Sequence, residues 1–306
     1  MSCQVAKQFP LEEEYKKNTG ISPADIAKLR GWLKTQPHLP EEHITDLDLI
    51  LVYHCCGRSS EVSKQLIDLH FTLRTLFTSF FKDRFYDDKM KFVHQHVALM
   101  APLPTHTSEG YTVFYAGFTS KDPKVFVLND CYRATLMRLD LWQYEEGSWP
   151  GWMLVIDLDG MTLGHLAKID VYSVQQFLYY LQEAILVNLK GLHFLNAPSF
   201  MDRLMMLIRP FMKKSLMDMM GIHQVGSTTF DKIYPIEQLP SGVCGGNGIS
   251  KEQLLNENLA KLEAGKDYFV QENKKRVTES LRPDKPKTIT DIFGGIDGSF
   301  KKLDID

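Results

Sequence analysis

Apolar residues recur at helical spacing in the N-terminal part of the chain. Ser22 and Pro23 are typical of a helix start, because a serine side chain caps the first turn and proline tolerates the first helical position. The apolar stripes predict a short helix that begins after Ser22 and two longer helices over residues 45–56 and 60–81. We therefore expect a small all-helical N-terminal domain.

Farther along the chain the pattern alternates between strands and helices. β-Branched and aromatic runs predict strands at residues 111–116, 152–158, 192–195, 222–227 and 232–234. Amphipathic runs predict helices over residues 128–142 and 172–189. Because residues 152–158 are almost all apolar, that strand should be covered on both faces. The fold class is therefore α/β, with a mixed-sheet sandwich packed against helices.

Residues 191–211 are the most informative stretch. A short apolar strand runs through Asn196, Ala197 and Pro198 into an oily segment that Pro210 interrupts. The apolar residues of that segment recur at helical spacing; they are Phe200, Leu204, Leu207, Ile208 and Phe211. Flexible methionines lie between them, at positions 201, 205 and 206. The pattern predicts a mobile lid helix, with a plain core helix as the alternative.

The C-terminal part is more polar. It contains a predicted amphipathic helix over residues 251–263 and a terminal stretch, GGIDGSFKKLDID, that we expect to pack as an extended arm or to remain mobile. We place the helical domain at residues 1–90, the α/β domain at 91–248 and the C-terminal helix and tail at 249–306. The first boundary falls in the charged segment 82–91 or in the proline-marked loop 101–109.

Composition narrows the function classes. The 306 residues are 44% hydrophobic and 24% charged, which suits a globular protein with a sizeable core. A net charge of −3 provides no global attraction to nucleic acid or to anionic membranes. The N-terminus lacks an apolar stretch of signal-peptide length, and polar residues interrupt the most apolar segment, 174–189. The five cysteines have no disulfide or zinc spacing, so we expect reduced thiols.

Motifs for catalysis are missing from the sequence. No nucleophile elbow, phosphate loop or zinc-binding histidine pair occurs. Asp157 and Asp159 share a strand face and could form an acid–base or metal site, but their place before Gly160 favours a turn. The histidines are scattered, and we expect them to satisfy local hydrogen bonds; His193 is unusual because it lies in a predicted central strand. We expect no catalytic residue, no metal and no cofactor.

Four motifs follow one another over residues 151–246 of the chain. They are the strand and turn GWMLVIDLDG at 151–160, the strand, turn and lid segment at 191–211, GIH at 221–223 and LPSGVCGG at 239–246. Their order, from about residue 111 to residue 246, resembles the CRAL-TRIO (Sec14-like) lipid-binding family, in particular the branch of α-tocopherol transfer protein and retinaldehyde-binding protein. Residues 21–81 resemble the helical N-terminal domain of the same family.

The resemblance implies a pocket for a long hydrophobic ligand, and solid core is the alternative. The two helices would present the stripes Tyr132, Thr135, Leu136, Leu139 and Phe177, Leu181, Ile185 to the sheet. The other implied ligand-binding residues are Trp152, Ile156, Leu163, Tyr180, Leu192, Phe200, Leu204, Leu207 and Phe211. Hydroxyl groups of Tyr132, Thr135 and Tyr180 would lie at or beside the stripes, where a buried hydroxyl needs a partner.

Relatives also bind phosphoinositides through a basic cleft, for which this chain retains Lys190, Lys213 and Lys214. Asn188 and Ser215 occupy positions that are lysine in tocopherol-binding relatives, so we expect this binding to be weak. The resulting expectation is a monomeric cytoplasmic carrier that transfers a tocopherol, retinoid, carotenoid or other isoprenoid and meets membranes only transiently. A phospholipid or phosphoinositide exchange protein and an adaptor with a protein partner are the alternatives.

Overall fold

A computed structural model describes residues 5–294 of the chain. Its N-terminal part is helical, as predicted. The helices are α1 (Leu11–Lys16), α2 (Pro23–Leu33), α3 (Asp46–Cys55), α4 (Ser60–Leu76) and α5 (Thr78–Phe81). Ser22 caps α2, since its hydroxyl accepts the amide of Asp25 at 3.3 Å. The predicted helix over residues 60–81 is interrupted at Phe77, whose ψ of 67° is not helical.

The α/β part is built on a five-stranded sheet within the described residues. The strands, in spatial and chain order, are β1 (Ala98–Pro102), β2 (Thr112–Phe118), β3 (Trp152–Asp157), β4 (Leu189–Ala197) and β5 (Met220–Gln224). β1 pairs with β2 in antiparallel fashion, and the three remaining pairings are parallel. The predicted mixed sheet is confirmed.

Nine further helices surround or follow the sheet in the described part of the chain. They are α6 (Asp88–His96), α7 (Leu128–Glu146), α8 (Leu163–Leu166), α9 (Val171–Glu183), α10 (Met201–Ile208), α11 (Lys214–Asp218), α12 (Lys251–Ala264), α13 (Lys266–Glu272) and α14 (Ile289–Phe293). The predicted helices at 128–142 and 251–263 are confirmed as α7 and α12. The boundary predicted after residue 90 falls inside α6. The division into domains at residues 90 and 248 stays a prediction.

Three sequence predictions about elements are wrong. Strand β1 lies partly in the loop expected at 101–109. The helix expected to reach residue 189 ends at Glu183, because Leu189 already belongs to β4. Residues 232–234 form no strand: the amides of Ile233 and Tyr234 donate to the carbonyl of Phe230 at 2.9 and 3.0 Å in a tight turn. The expected C-terminal arm lies, apart from Gly294, outside the described residues.

The two faces of the sheet pack against different layers. Successive side chains along a strand point to opposite faces. On β3, Leu154 faces the layer of α7, α9 and α10, whereas Met153 and Val155 face a second core with Tyr234 and Leu254. The space between the sheet and the first of these helical layers contains the candidate site.

A buried ionic cluster connects the N-terminal helices to the rest of the chain. Arg74 on α4 donates to Asp140 on α7 and to Glu272 on α13, both at 2.7 Å, and Arg84 donates to Asp140 at 2.6 Å. Burial alone would raise the pKa of Glu272, but Arg84 and Arg74 hold it well below its ordinary value. Breaking a buried pair leaves a charge without a partner, so the cluster fixes the helical layers relative to each other.

Candidate functional site

A cavity of about 180 Å³ lies between the sheet and helices α7, α9 and α10. Its wall is almost entirely apolar or aromatic. The strands contribute Ala98, Met100, Ala116, Gly117, Phe118, Leu154, Ile156, Asp157, Leu192 and Phe194. The helices contribute Leu128, Cys131, Tyr132, Thr135, Val174, Phe177, Leu178, Leu181, Leu204 and Ile208. Connecting segments add Phe126, Leu158, Met161 and Ile169.

Aromatic rings form the helical side of the cavity. Tyr132 on α7 stacks on Phe177 on α9, with ring centroids 3.9 Å apart and planes 4° from parallel. Both rings line the cavity. Burial raises the pKa of Tyr132 well above its ordinary value, so its hydroxyl stays protonated. This wall therefore offers a flat apolar surface with one neutral hydroxyl.

The hydroxyl of Thr135 is already used inside the protein. It donates to the carbonyl of Cys131 at 2.9 Å and lies 3.2 Å from the sulfur of Met100. Serine and threonine in helices commonly bond a carbonyl one turn back in this way. The expectation that Thr135 needs a ligand or water as its partner is therefore wrong.

Helix α10 covers the cavity. Leu204 and Ile208 line it, and both are at least nine-tenths buried. Met205 is also buried, whereas Met206 on the outer face is 76% exposed. A tight turn at Arg209–Phe211, which contains Pro210, ends the helix. The helix is short and strongly one-sided, which is the geometry that a lid requires.

The segment that carries α10 begins at a hydrogen-bonded corner between β3 and β4. The carboxylate of Asp157 accepts the Tyr115 hydroxyl and the Asn196 side-chain amide, both at 2.8 Å, and the backbone amide of Asp159 at 3.0 Å. Asn196 has a φ of +49°, in the left-handed region that asparagine tolerates better than most residues. Asp157 is thus part of a turn, as its position before Gly160 indicated.

Seven of the residues predicted for ligand binding lie on the cavity wall, and nine lie elsewhere. Those on the wall are Tyr132, Thr135, Ile156, Phe177, Leu181, Leu192 and Leu204. Leu136, Leu139 and Trp152 are buried in the adjoining core. Phe200, Leu207 and Phe211 are partly buried around the lid without lining the cavity. The remaining three, Leu163, Tyr180 and Ile185, have distinct positions.

Each of these three corrections has a physical cause. Leu163 is on the short helix α8 and is 51% exposed. The hydroxyl of Tyr180 accepts from Nε of Arg74 at 3.1 Å, so this side chain belongs to the ionic cluster. Ile185 follows the end of α9 and lines a cleft of about 500 Å³ between α3, α4 and the α/β part. The wall residues that sequence reasoning missed come mostly from β1, β2 and the connecting segments. For the two strands, the alternation of side chains between the faces of the sheet was the available signal.

Each of the three predicted basic residues already contacts another side chain. Lys190 lines the cleft and lies over the Tyr111 ring at 5.8 Å from its centroid. Lys213 is paired with Glu183, and Lys214 is 2.6 Å from Asp218. Glu183 also lines the cleft, so it opposes anion binding there. Burial raises the pKa of Cys55 and Cys56 in the same cleft, which keeps both thiols protonated at neutral pH.

The unusual His193 pairs with a second histidine. Its Nδ1 lies 3.2 Å from Nε2 of His223 on β5, and Nδ1 of His223 is 2.7 Å from the hydroxyl of Thr229. Burial, and to a lesser extent His223, lower the pKa of His193 to about 4. Within residues 5–294 no group of three histidine, cysteine, aspartate or glutamate residues could hold a metal. In the same range, no helix is long and apolar enough to cross a membrane.

Two parts of the chain match known domain families. Residues 98–246 match the CRAL/TRIO domain, and residues 18–90 match the Pinta-like UBA domain. Clavesin-2 of Homo sapiens is 26% identical over 121 residues, which are 39% of this chain and 37% of Clavesin-2. Alpha-tocopherol transfer protein-like of Homo sapiens is 24% identical over 151 residues, which are 49% of this chain and 43% of that protein. The chain thus matches less than half the length of either relative.

Among solved structures, that of Sfh5 matches with a TM-score of 0.44 at 12% identity, over 82% of this chain and 99% of that chain. The CRAL/TRIO match includes all five strands, α7, α9 and the covering helix α10. This part of the chain is therefore a CRAL/TRIO domain.

Proposed function

We propose that this protein is a non-enzymatic carrier that encloses one small lipophilic molecule and transfers it between membranes. The observation that carries the proposal is the apolar cavity under α10. Its wall combines stacked aromatic rings, aliphatic side chains and methionines, and a lipophilic guest gains about 25 cal/mol for each Å² of apolar surface that leaves water. The class of guest is a tocopherol, retinoid, carotenoid or other isoprenoid.

The cavity must enlarge to take such a guest. An apolar cavity of roughly 150 Å³ accommodates a benzene-sized molecule, whereas pockets for larger ligands occupy about 300–1,000 Å³. The observed 180 Å³ therefore suits one ring and not an isoprenoid chain. Flexible wall residues, Met100 and Met161, and movement of α10 can provide the additional space.

Release follows from the same geometry. Leu204 and Ile208 lose their apolar surroundings when α10 moves away in water, and they regain them if the helix faces lipid. The ligand should therefore remain enclosed in water and leave where the lid meets a bilayer. Transfer of this kind needs no chemical step.

Phosphoinositide exchange is the second candidate, and the charges support it less. Of the three retained lysines, Lys213 and Lys214 contact carboxylates, and Lys190 shares its cleft with Glu183. Long solvated ion pairs contribute little, typically below about 1 kcal/mol, so the lysines can exchange partners, but no concentrated positive site results. We propose weak, transient contact with anionic membranes and a monomeric carrier at the membrane surface.

Ligand uptake by two cavity variants tests the carrier function. In Ala116→Phe a ring enters the cavity from β2, and in Leu181→Asp a carboxylate enters from α9. We expect both to abolish binding of a fluorescent tocopherol analogue, because the first removes volume and the second places a charge among apolar groups. Native mass spectrometry of the purified wild-type protein should show a retained apolar molecule.

Val225→Asp is the matched control, since Val225 is 75% exposed and the same change there leaves the cavity intact. Circular dichroism checks that each variant is folded. If folded Ala116→Phe protein binds the analogue as well as the wild type does, the cavity is not the ligand site. If the wild-type protein retains a phospholipid, the exchange function is the better description. A protein that retains neither an apolar molecule nor a phospholipid would fit the adaptor alternative.

A further inference from the structure

A second groove lies farther along α7, which lines the lipid cavity with residues 128–135 and this groove with residues 138–146. It is a groove of about 240 Å³ between α7, α12 and the segment that follows β1. Arg138 forms its charged wall, Trp142, Leu254 and Pro102 form its apolar wall, and His106 lies at an exposed position beside them. None of these residues belongs to the wall of the lipid cavity.

Arg138 differs from the other buried arginines. Arg74 and Arg84 each contact the carboxylate of Asp140, at 2.7 and 2.6 Å. Arg138 is 4% exposed, yet it forms no ion pair with any carboxylate of residues 5–294. Its Nε donates to the side-chain oxygen of Asn258 at 2.7 Å, and its buried Nη1 has no hydrogen-bond partner in that range. A buried charge that forms no close ion pair is costly, which makes direct contact with an oppositely charged ligand favourable.

The surroundings keep Arg138 both fixed and charged. The side chain of Asn258 lies between Arg138 and His94, whose Nδ1 is 3.5 Å from Nδ2 of Asn258. Burial lowers the pKa of Arg138 to about 10, and Glu145 and Glu146 oppose the shift. The guanidinium therefore remains protonated at neutral pH, with its Nε held by Asn258; its enclosed Nη1 must be uncovered before a ligand can reach it.

Acidic residues at the groove limit the charge of that ligand. Glu145 is paired with Lys261 at 3.0 Å, Glu146 accepts from the Trp149 indole at 3.3 Å, and Glu257 accepts from Gln253 at 2.9 Å. Three carboxylates around one guanidinium repel a phosphate dianion more than a monoanion. The planar guanidinium also matches a carboxylate in shape.

We propose that this groove binds the carboxylate of a small organic acid, with Arg138 as the recognition residue and Trp142 and Leu254 as the support for an apolar substituent. The acid must be a monoanion of modest size, because the groove volume is below that of most drug-sized sites. The site is separate from the lipid cavity, so the two can be occupied independently.

Titration with sodium benzoate, followed by amide chemical shifts at constant ionic strength, tests the site. We expect saturable shifts in α7 and α12 for the wild type. Arg138→Met should weaken binding by roughly tenfold to a hundredfold, the loss of one charge-assisted interaction. Arg138→Lys retains the charge but not the planar guanidinium, so the loss of benzoate affinity should be intermediate. This variant also serves as a second test if the Arg138→Met protein fails to fold.

Two controls separate this site from the rest of the molecule. Lys214→Met removes an exposed, paired cation that lies outside the groove, so benzoate binding should change little. Ala116→Phe fills the lipid cavity and should leave benzoate binding unchanged, whether or not the carrier function is correct. Phosphate should bind more weakly than benzoate. Unaltered affinity in folded Arg138 variants, shifts confined to the lipid cavity, or tighter binding of phosphate would each overturn the proposal.

Discussion

Truncation of Leu204 to alanine should open the lid far more often without unfolding the protein. Leu204 is 6% exposed, and Met201, Met205 and Ile208 on the same face are 7%, 4% and 9% exposed. Burial of one such side chain contributes about 1.5–3 kcal/mol, so moving all four into water costs roughly 6–12 kcal/mol. The closed lid is therefore strongly favoured in the absence of lipid.

The expected size of the effect follows from the position of Leu204. Leucine-to-alanine changes in cores cost about 2–5 kcal/mol, and the low end applies here because Leu204 already borders a cavity. A loss of about 2 kcal/mol from lid closure corresponds to a roughly thirtyfold increase in the open population. Hydrogen exchange detected by mass spectrometry should show this increase in the amides of α10.

Met206→Ala is the matched control, because Met206 lies on the same helix and is 76% exposed. Its exchange rates should stay close to those of the wild type, and the amides of β3 should remain protected in both variants. The lid interpretation fails if Leu204→Ala and Met206→Ala behave alike. It also fails if Leu204→Ala accelerates exchange in β3 as much as in α10, since α10 would then be part of the global core.

Two further predictions concern charge. Burial lowers the pKa of His193 to about 4 and that of His94 to about 3, whereas an unfolded histidine titrates near 6.5. The stability that these neutral side chains provide is complete above about pH 6.5. It declines below that pH, by up to about 1.4 kcal/mol per pH unit for each histidine. Urea unfolding between pH 7 and 5 should show this decline, and a free energy of unfolding that does not change with pH would contradict the prediction. Binding to anionic vesicles should fall several-fold between low and physiological salt. It should drop further in Lys213→Ala/Lys214→Ala, by at most about thirtyfold, because each lysine near a charged surface contributes about 1 kcal/mol. Co-sedimentation measures this, and salt-resistant, headgroup-selective binding would favour phosphoinositide exchange.

Periodicity predicted the buried faces of the helices better than it predicted the cavity. The stripe on α7 was correct as a buried face, yet Thr135 lines the cavity while Leu136 and Leu139 pack into solid core. A helical period indicates which side of a helix is covered, but not at which height along the helix the packing is incomplete. That height depends on side chains from four strands, which one sequence segment does not contain.

Polar residues explain most of the other differences. Tyr180 was placed by its helix stripe beside a ligand, but its hydroxyl bonds Arg74, 106 residues away in the chain. Strand β1 was missed because its sequence, ALMAP, has no polar alternation and ends in proline. Arg138 was overlooked because an arginine in an amphipathic helix normally faces water, and only the packing of α12 reveals that it is buried.

The polar groups of the cavity wall restrict how a ligand can be selected. Thr135 is satisfied by the backbone, and Asp157 accepts three hydrogen bonds from the protein. Within the described residues the Tyr132 hydroxyl has no such partner, so it is the wall group that we expect to meet the polar end of a guest. A pocket that recognises a hydroxyl discriminates strongly against analogues that lack it, whereas an apolar wall discriminates weakly between chain lengths. Tyr132→Phe should therefore narrow the difference in affinity between an isoprenoid alcohol and its hydrocarbon, while both remain bound through the same apolar wall.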